Sequence, residues 1–327
     1  MREKPENKLS LFAENIAAIR NDFVWQEAGA KRLVALVYAL DGKEINNTAV
    51  AEAHGLIKRE SGIFSVFRGE LSIYTAAVMS LSQDASRLFE DIRDVYEKLK
   101  AEGFWSSNFL AAAALEIAVN AGGRDFGDIT RRTREFNREM KANHRFQVGE
   151  KDHIFAAMLA MTDIEPHEGA NKLKQLFLQL KAEFSFFTSG GGLLSLAQML
   201  ILGGSTEDCV RDMLRLNRVL RNHKIRLDRA HTLPSLGVLG LMKIDHYDLV
   251  SDIEFAMEFL RGQKGLGAFS VSTQELLIYA VSILVSAYTG EDDLMKGAAV
   301  TSVASLVMAQ QAALITCVTT SVIVSSS

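Results

Sequence analysis

Two stretches of this sequence concentrate groups able to hold an anion. Residues 124–145 carry Arg124, Arg131, Arg132, Arg134, Arg138, Lys141 and Arg145 against Asp125, Asp128, Glu135 and Glu139. Residues 211–229 carry Arg211, Arg215, Arg218, Arg221, Lys224, Arg226 and Arg229 against Asp212 and Asp228. The two resemble each other: Asn137-Arg138 and Asn143-His144-Arg145 lead to His153, as Asn217-Arg218 and Asn222-His223-Lys224 lead to His231. Guanidinium groups present forked donors that fit carboxylate or phosphate. Arg138, His144, His153, Arg218, His223 and His231 are therefore the candidate ligand-binding residues, expected to line one groove. The plainer reading is a set of solvated helix faces and loop caps. The histidines follow no recognised ligand spacing, so no metal is expected.

Other constellations carry less. No His-Glu pair is followed by a second histidine at metalloprotease spacing, no Walker A loop occurs, and no serine nucleophile elbow is present. Gly190-Gly191-Gly192 precedes an apolar helix, whose free N–H groups could hold an anion, but a helix–helix turn explains it as well. Gly262, Gly265 and Gly267 follow a helix rather than a strand and read as a helix end, not a dinucleotide fingerprint. Asp91 and Asp94 lie one turn apart beside Glu90, a pattern that can bind magnesium. Arg87, Arg93 and Lys98 interleave with them and favour a solvated face. Cys209 reads as a core or boundary residue. No catalytic residues and no cofactor are expected.

These groups must be positioned by helices. Short apolar runs begin near Leu71, Phe109, Ile154, Leu193, Leu233 and Leu276, a spacing found in two-helix repeats. Longer amphipathic segments follow: Leu88, Ile92, Val95 and Leu99 share one face, as do Leu173, Leu176, Phe177, Leu180 and Phe184, and Val250, Ile253, Met257 and Leu260. Asp84 and Asp248 stand where second helices should begin, Thr206 precedes an acidic first turn, and Ser272-Thr273-Gln274-Glu275 reads as a capping box. Proline occurs only at positions 5, 166 and 234. The expected fold is all-α, tandem antiparallel helix pairs forming an α-α superhelix, with a closed α/α toroid as the alternative. Residues 1–68 read as a cap of three helices near 7–24, 27–40 and 47–58. Residues 69–293 carry the helix-pair repeats, and 294–327 an apolar helix or tail packed on the last of them.

The tail is uncharged from 297 to 327, longer than the roughly 20 residues that span a bilayer. Gln310-Gln311 at its middle and the absence of a following basic residue argue against insertion. With 48% hydrophobic and 23% charged residues the composition is that of a globular protein, and a net charge of −4 supplies no field for nucleic acid or an anionic membrane. Few aromatics accompany the basic segments, so nucleic-acid stacking is not expected. Trp25 and Trp105 alone could serve as sugar platforms. Two cysteines form no disulfide framework, and the charged start lacks a signal peptide's apolar core, which points to the cytoplasm.

The stretch from Arg138 to Met161, with His144-Arg145-Phe146, Gly149 and Asp152-His153-Ile154-Phe155, together with Lys264-Gly265-Leu266-Gly267-Ala268-Phe269-Ser270 and the Gln310-Gln311 tail, resembles an uncharacterised Gram-positive bacterial family of all-helical proteins. The resemblance implies a bacterial cytoplasmic protein and transfers no catalytic residues. The expected function is a non-enzymatic helical-repeat binding or scaffold protein holding a peptide, protein or anionic ligand on one face. The alternatives are a toroidal enzyme with its site in the central cavity and a tail-mediated membrane association.

Overall fold

A computed structural model describes residues 5–288, apart from 64, 70, 145–146, 185–187 and 243. The uncharged tail lies outside the described residues, as do Arg145 and Phe146. Among those described, every regular element is a helix. In chain order these are α1 (Pro5–Ile19), α2 (Ala28–Leu40), α3 (Asn47–Glu60), the 3-10 turn η1 (Val66–Arg68), α4 (Ser72–Leu81), α5 (Ala85–Ala101), α6 (Asn108–Asn120) and α7 (Phe126–Asn143). There follow α8 (Asp152–Ala160), α9 (Pro166–Glu183), α10 (Gly190–Leu202), α11 (Glu207–Asn222), α12 (Leu233–Gly240), α13 (His246–Arg261) and α14 (Thr273–Tyr288). The prolines start helices rather than break them: Pro5 and Pro166 open α1 and α9, and Pro234 sits in the first turn of α12.

Short polar caps set the helix starts. Asp84, Ser107, Asp125, Thr206 and Ser272 each accept a hydrogen bond from the backbone N–H three residues on. Helix α13 departs from the expected start: its cap is Asp245, which accepts from the N–H groups of Tyr247 and Asp248, so Asp248 lies inside the first turn. The first helix stops at Ile19 rather than near residue 24, and Phe23 beyond it adopts a φ of 50°, outside the helical region. The glycines after α13 mark its end, as expected: Gly262 is the C-cap, still right-handed at φ −70°, and Gly265, at φ 93°, makes the left-handed turn that follows.

The chain divides into two compact units, Ala18–Ala170 and a second comprising 5–17 with 171–288. In the first, α6 packs on α8 and α5 on α7, while α5 also packs on α6 and α7 on α8. In the second, the inner helices α10, α12 and α14 pack in series, α11 packs on α13, and these two outer helices pack on α12 and α14 in turn. Apolar helices thus lie beside apolar helices and amphipathic beside amphipathic. Every residue of α8 and of α12 is buried, the mark of a helix enclosed on all sides. Helix α11 instead buries a single stripe of Cys209, Val210, Met213, Leu216, Asn217 and Leu220 and turns its arginines outward.

Candidate functional site

The arginines of the α11–α12 link surround a cleft of about 510 Å³ within the second unit. Its walls come from the end of α9 (Glu183, Phe184), the start of α10 (Thr188, Ser189), α11 (Asn217, Arg221), the link itself (Arg226 to His231) and Gln274 at the start of α14. The link takes its shape from its own sequence. Helix α11 ends as Lys224 turns left-handed, at φ 61°. Ile225 and Leu227 then point inward and are buried, which sends Arg226 and Asp228 to the opposite side. The buried Thr232 hydroxyl accepts from Arg229 N–H at 3.3 Å and lies 3.2 Å from the carbonyl oxygens of Arg226 and Arg229, closing the turn. Gly192 lets this turn approach α10: a Cβ there would stand 2.9 Å from Ala230 Cα and 3.0 Å from Ala230 O.

Charge in the cleft is partly neutralised from within. Arg226 forks onto Asp228, with Nε–Oδ1 at 2.8 Å and Nη2–Oδ2 at 3.0 Å, and Arg221 Nε stands 3.7 Å from Oδ2. Burial alone would raise the Asp228 carboxyl. The Arg226 hydrogen bonds and the charges of Arg226 and Arg221 outweigh it and hold the pKa below the ordinary value, so Asp228 is ionised at neutral pH. Arg229 has no ion-pair partner among the described residues. The start of α10 adds its partial positive charge at the same cleft.

One polar group here is out of keeping with its surroundings. Asn217 occupies the buried stripe of α11 at 7% exposure, and its Oδ1 has no hydrogen-bond partner. Asn137 occupies the corresponding place on α7: the stripe of Ile129, Thr130, Thr133, Phe136, Asn137 and Met140 repeats that of α11 at an offset of 217 − 137 = 80 residues. Asn137 is fully buried, and neither of its amide atoms has a partner. Buried amides of this kind are costly when left unsatisfied.

The sequence-predicted residues fall in several settings. His231 lines the cleft. His223 is at the surface, its Nδ1 3.1 Å from Glu254 Oε1 on α13. Arg218 is exposed on α11, outside the cleft lining, with Nε donating to Leu214 O at 3.4 Å. In the other unit Arg138 is exposed beside Glu139, 3.3 Å away. His144 and His153 are both buried there. The His153 ring stands edge-on to Phe104 at 4.9 Å between centroids, and burial, with the charges of Lys141 and Arg134, lowers its pKa to about 4. Asn217, Arg221, Arg226 and Arg229 shape the cleft more directly than the histidines do. Their signal in the sequence was an asparagine on an apolar stripe, one turn before an arginine.

The unit Ala18–Ala170 holds a cleft of about 610 Å³ at a comparable place in its own helix pairs, between the end of α3, α5 and the α5–α6 link. Glu60, Glu90, Asp94 and Glu97 line it with Arg93 and Lys100. Tyr96, the polar member of the α5 stripe, has its hydroxyl 2.7 Å from Ser106 Oγ. Arg87–Asp91 and Lys98–Asp94 pairs confirm the interleaved charges of α5 as a solvated face. One titratable group was not foreseen. Glu116 is enclosed in α6, and desolvation raises its pKa to about 8, so it is protonated at neutral pH. No cluster of His, Cys, Asp or Glu suited to a metal occurs among the described residues, and no helix among them is long and apolar enough to cross a membrane.

A family described as "Protein of unknown function (DUF4003)" matches residues 15–312, and the chain belongs to that family. No curated protein and no solved structure matches it.

Proposed function

We propose that this chain is a non-enzymatic helical binding protein whose ligand is anionic and docks in the arginine-lined cleft of 171–288. The observation that carries this reading is Arg229, a guanidinium with no ion-pair partner among the described residues, in the lining of a cleft that Arg221, Arg226 and the start of α10 also border. Three arginines face Asp228 and Glu183, which leaves 3 − 2 = +1 with His231 neutral. Asp228 neutralises part of the charge of Arg226 and Arg221 and leaves the rest to the ligand. A carboxylate or phosphate entering the cleft meets fixed donors that need little reorganisation. The cytoplasm is the compartment this reading assumes, on the low cysteine content.

The test is titration with acetate, N-acetyl-alanine and inorganic phosphate, followed by amide NMR or calorimetry. At least one should bind, and Arg229→Gln should weaken it by about tenfold, in line with the loss of one charge-assisted hydrogen bond. Arg218→Gln, one charge removed outside the cleft lining, should leave binding unchanged. Absence of binding by all three anions, or equal weakening by both variants, overturns the reading.

A further inference from the structure

We infer that the outer face formed by α11 and α13 is a self-association surface, and that its partner is a second copy of this chain related by a two-fold axis. This face is separate from the anion cleft: neither Arg215 nor any residue of α13 lines that cleft. What sets the two helices apart is how they place charge. Helices α5 and α7 pair cations with carboxylates along the same helix, as in Arg87–Asp91 at 3.2 Å and Arg131 between Asp128 and Glu135. Helix α11 carries no acid after Asp212, and α13 carries no Lys or Arg before Arg261. Arg211, Arg215 and Arg218 are exposed and recur at i, i+4 and i+7, on the side away from the buried stripe. On α13 the exposed side holds Tyr247, Asp248, Glu254, Phe255 and Glu258. Arg215, Arg218, Asp248 and Glu258 have no ion-pair partner among the described residues.

The two helices run side by side in the same direction. His246 at the start of α13 stands 3.3 Å from Asp212 early in α11, and Glu254 further along stands 3.1 Å from His223 at the end of α11. These contacts set each α13 residue level with an α11 residue numbered lower by 246 − 212 = 34 to 254 − 223 = 31. Asp248 is therefore level with positions 214 to 217, and Glu258 with 224 to 227. A two-fold axis parallel to both helices and midway between them lays α11 of each copy on α13 of the other at the same level. Asp248 then meets the second copy's Arg215 and Arg218, Glu258 meets its Lys224, and every contact occurs twice. A two-fold axis across the helices would instead set α11 on α11, with like charges opposed. Tyr247, 68% exposed, and Phe255, 44% exposed, stand among these charges and give the contact an apolar centre. Each helix has 16 residues and is about 24 Å long, and two such helices span a face roughly 20 Å wide. That is about 500 Å² on each copy and about 1,000 Å² in all, the lower bound of a specific interface, which fits a dimer in exchange with monomer.

Sedimentation velocity on the intact chain tests this at low salt. Wild type should pass from monomer towards dimer between about 1 and about 100 μM, and raising the salt to about 0.5 M should weaken the dimer about tenfold. Arg215→Glu and Asp248→Arg should each leave the chain monomeric, because either one opposes like charges in both halves of the contact. An equimolar mixture of the two variants should dimerise again, since each supplies the charge that the other lacks. If Asp248→Arg fails to fold, Arg215→Glu is compared with Lys174→Glu, the same charge change at an exposed site on α9. Arg215→Glu should then abolish the dimer and Lys174→Glu should preserve it. A wild type that stays monomeric at about 100 μM overturns the inference. So does a dimer that survives Arg215→Glu or Asp248→Arg, a mixture that stays monomeric, or equal loss from Arg215→Glu and Lys174→Glu. None of these outcomes touches the anion-binding reading, which rests on its own titration.

Discussion

Replacing Glu116 by Gln should make the protein more stable, and increasingly so as the pH rises. The carboxyl is enclosed in α6, and its pKa is raised from 4.5 to about 8 by desolvation. An unfolded chain releases this proton above pH 4.5, whereas the native state holds it until about pH 8. Across that window the native state binds more protons than the unfolded one, so stability falls as the pH rises. The interval is 8 − 4.5 = 3.5 pH units, and at about 1.36 kcal/mol for each the loss approaches 5 kcal/mol by pH 8. Glutamine has nearly the same shape and no charge to desolvate, so the slope disappears with the substitution. Urea unfolding of wild type and Glu116→Gln at intervals between pH 5 and 8 measures it. The difference between the two should widen in favour of the variant by about 1 kcal/mol per pH unit. A difference that does not change with pH would show that Glu116 ionises in the native state at an ordinary pKa, and the argument from its burial would fail.

Other substitutions probe other parts of the structure. His153 carries the opposite pH dependence: its pKa of about 4 against 6.5 in the unfolded chain means the unfolded state binds the extra proton, so stability is lost as pH falls from 6.5 towards 4. His153→Phe should flatten that acid limb in urea midpoints measured from about pH 7 down to about pH 4. Arg132 on α7 donates to the carbonyls of Ala160, Thr162 and Ile164, at 3.2, 3.1 and 2.7 Å, and ties the end of α8 to the next link. Arg132→Ala should cost about 3 kcal/mol in denaturant unfolding. Gly192→Ala forces Ala230 away from α10 and should destabilise by about 1–3 kcal/mol while lowering anion affinity in the same titration. Asp228→Asn removes the internal competitor for Arg226 and Arg221, and should tighten anion binding rather than weaken it.

The helices were legible because their signals are local. Period, cap and proline position all lie within one element, and the six apolar runs from Leu71 to Leu276 each fall at or just before the start of an inner helix or inside its first turns. Where two residues compete for one role, locality was not enough: Asp245 and Asp248 are both sound caps, and only the backbone entering α13 selects the first. The burial of His144 and His153 was not legible for a related reason. A histidine beside Arg145, or one at the start of a helix, reads as polar surface until the packing of α6 and α7 against α8 encloses it. Glu116 follows the same logic, since one acid in Leu115-Glu116-Ile117 does not show which face of α6 it takes.

The asparagines show what the sequence held without making it readable. Asn137 and Asn217 were visible as part of a shared Asn-Arg pair, and the arginine drew the functional reading because it carries the charge. The structure turns both arginines outward and both asparagines inward, onto a stripe that is otherwise built largely of apolar side chains. On α5 the polar member of that stripe, Tyr96, reaches Ser106 in the next link and meets a partner within its own fold. On α11 the corresponding link places Arg226, Arg229 and His231 opposite Asn217, and its Oδ1 meets none. The helix pair is the same device in both cases. What differs is whether the link supplies the missing hydrogen-bond partner, and on α11 no described residue supplies it.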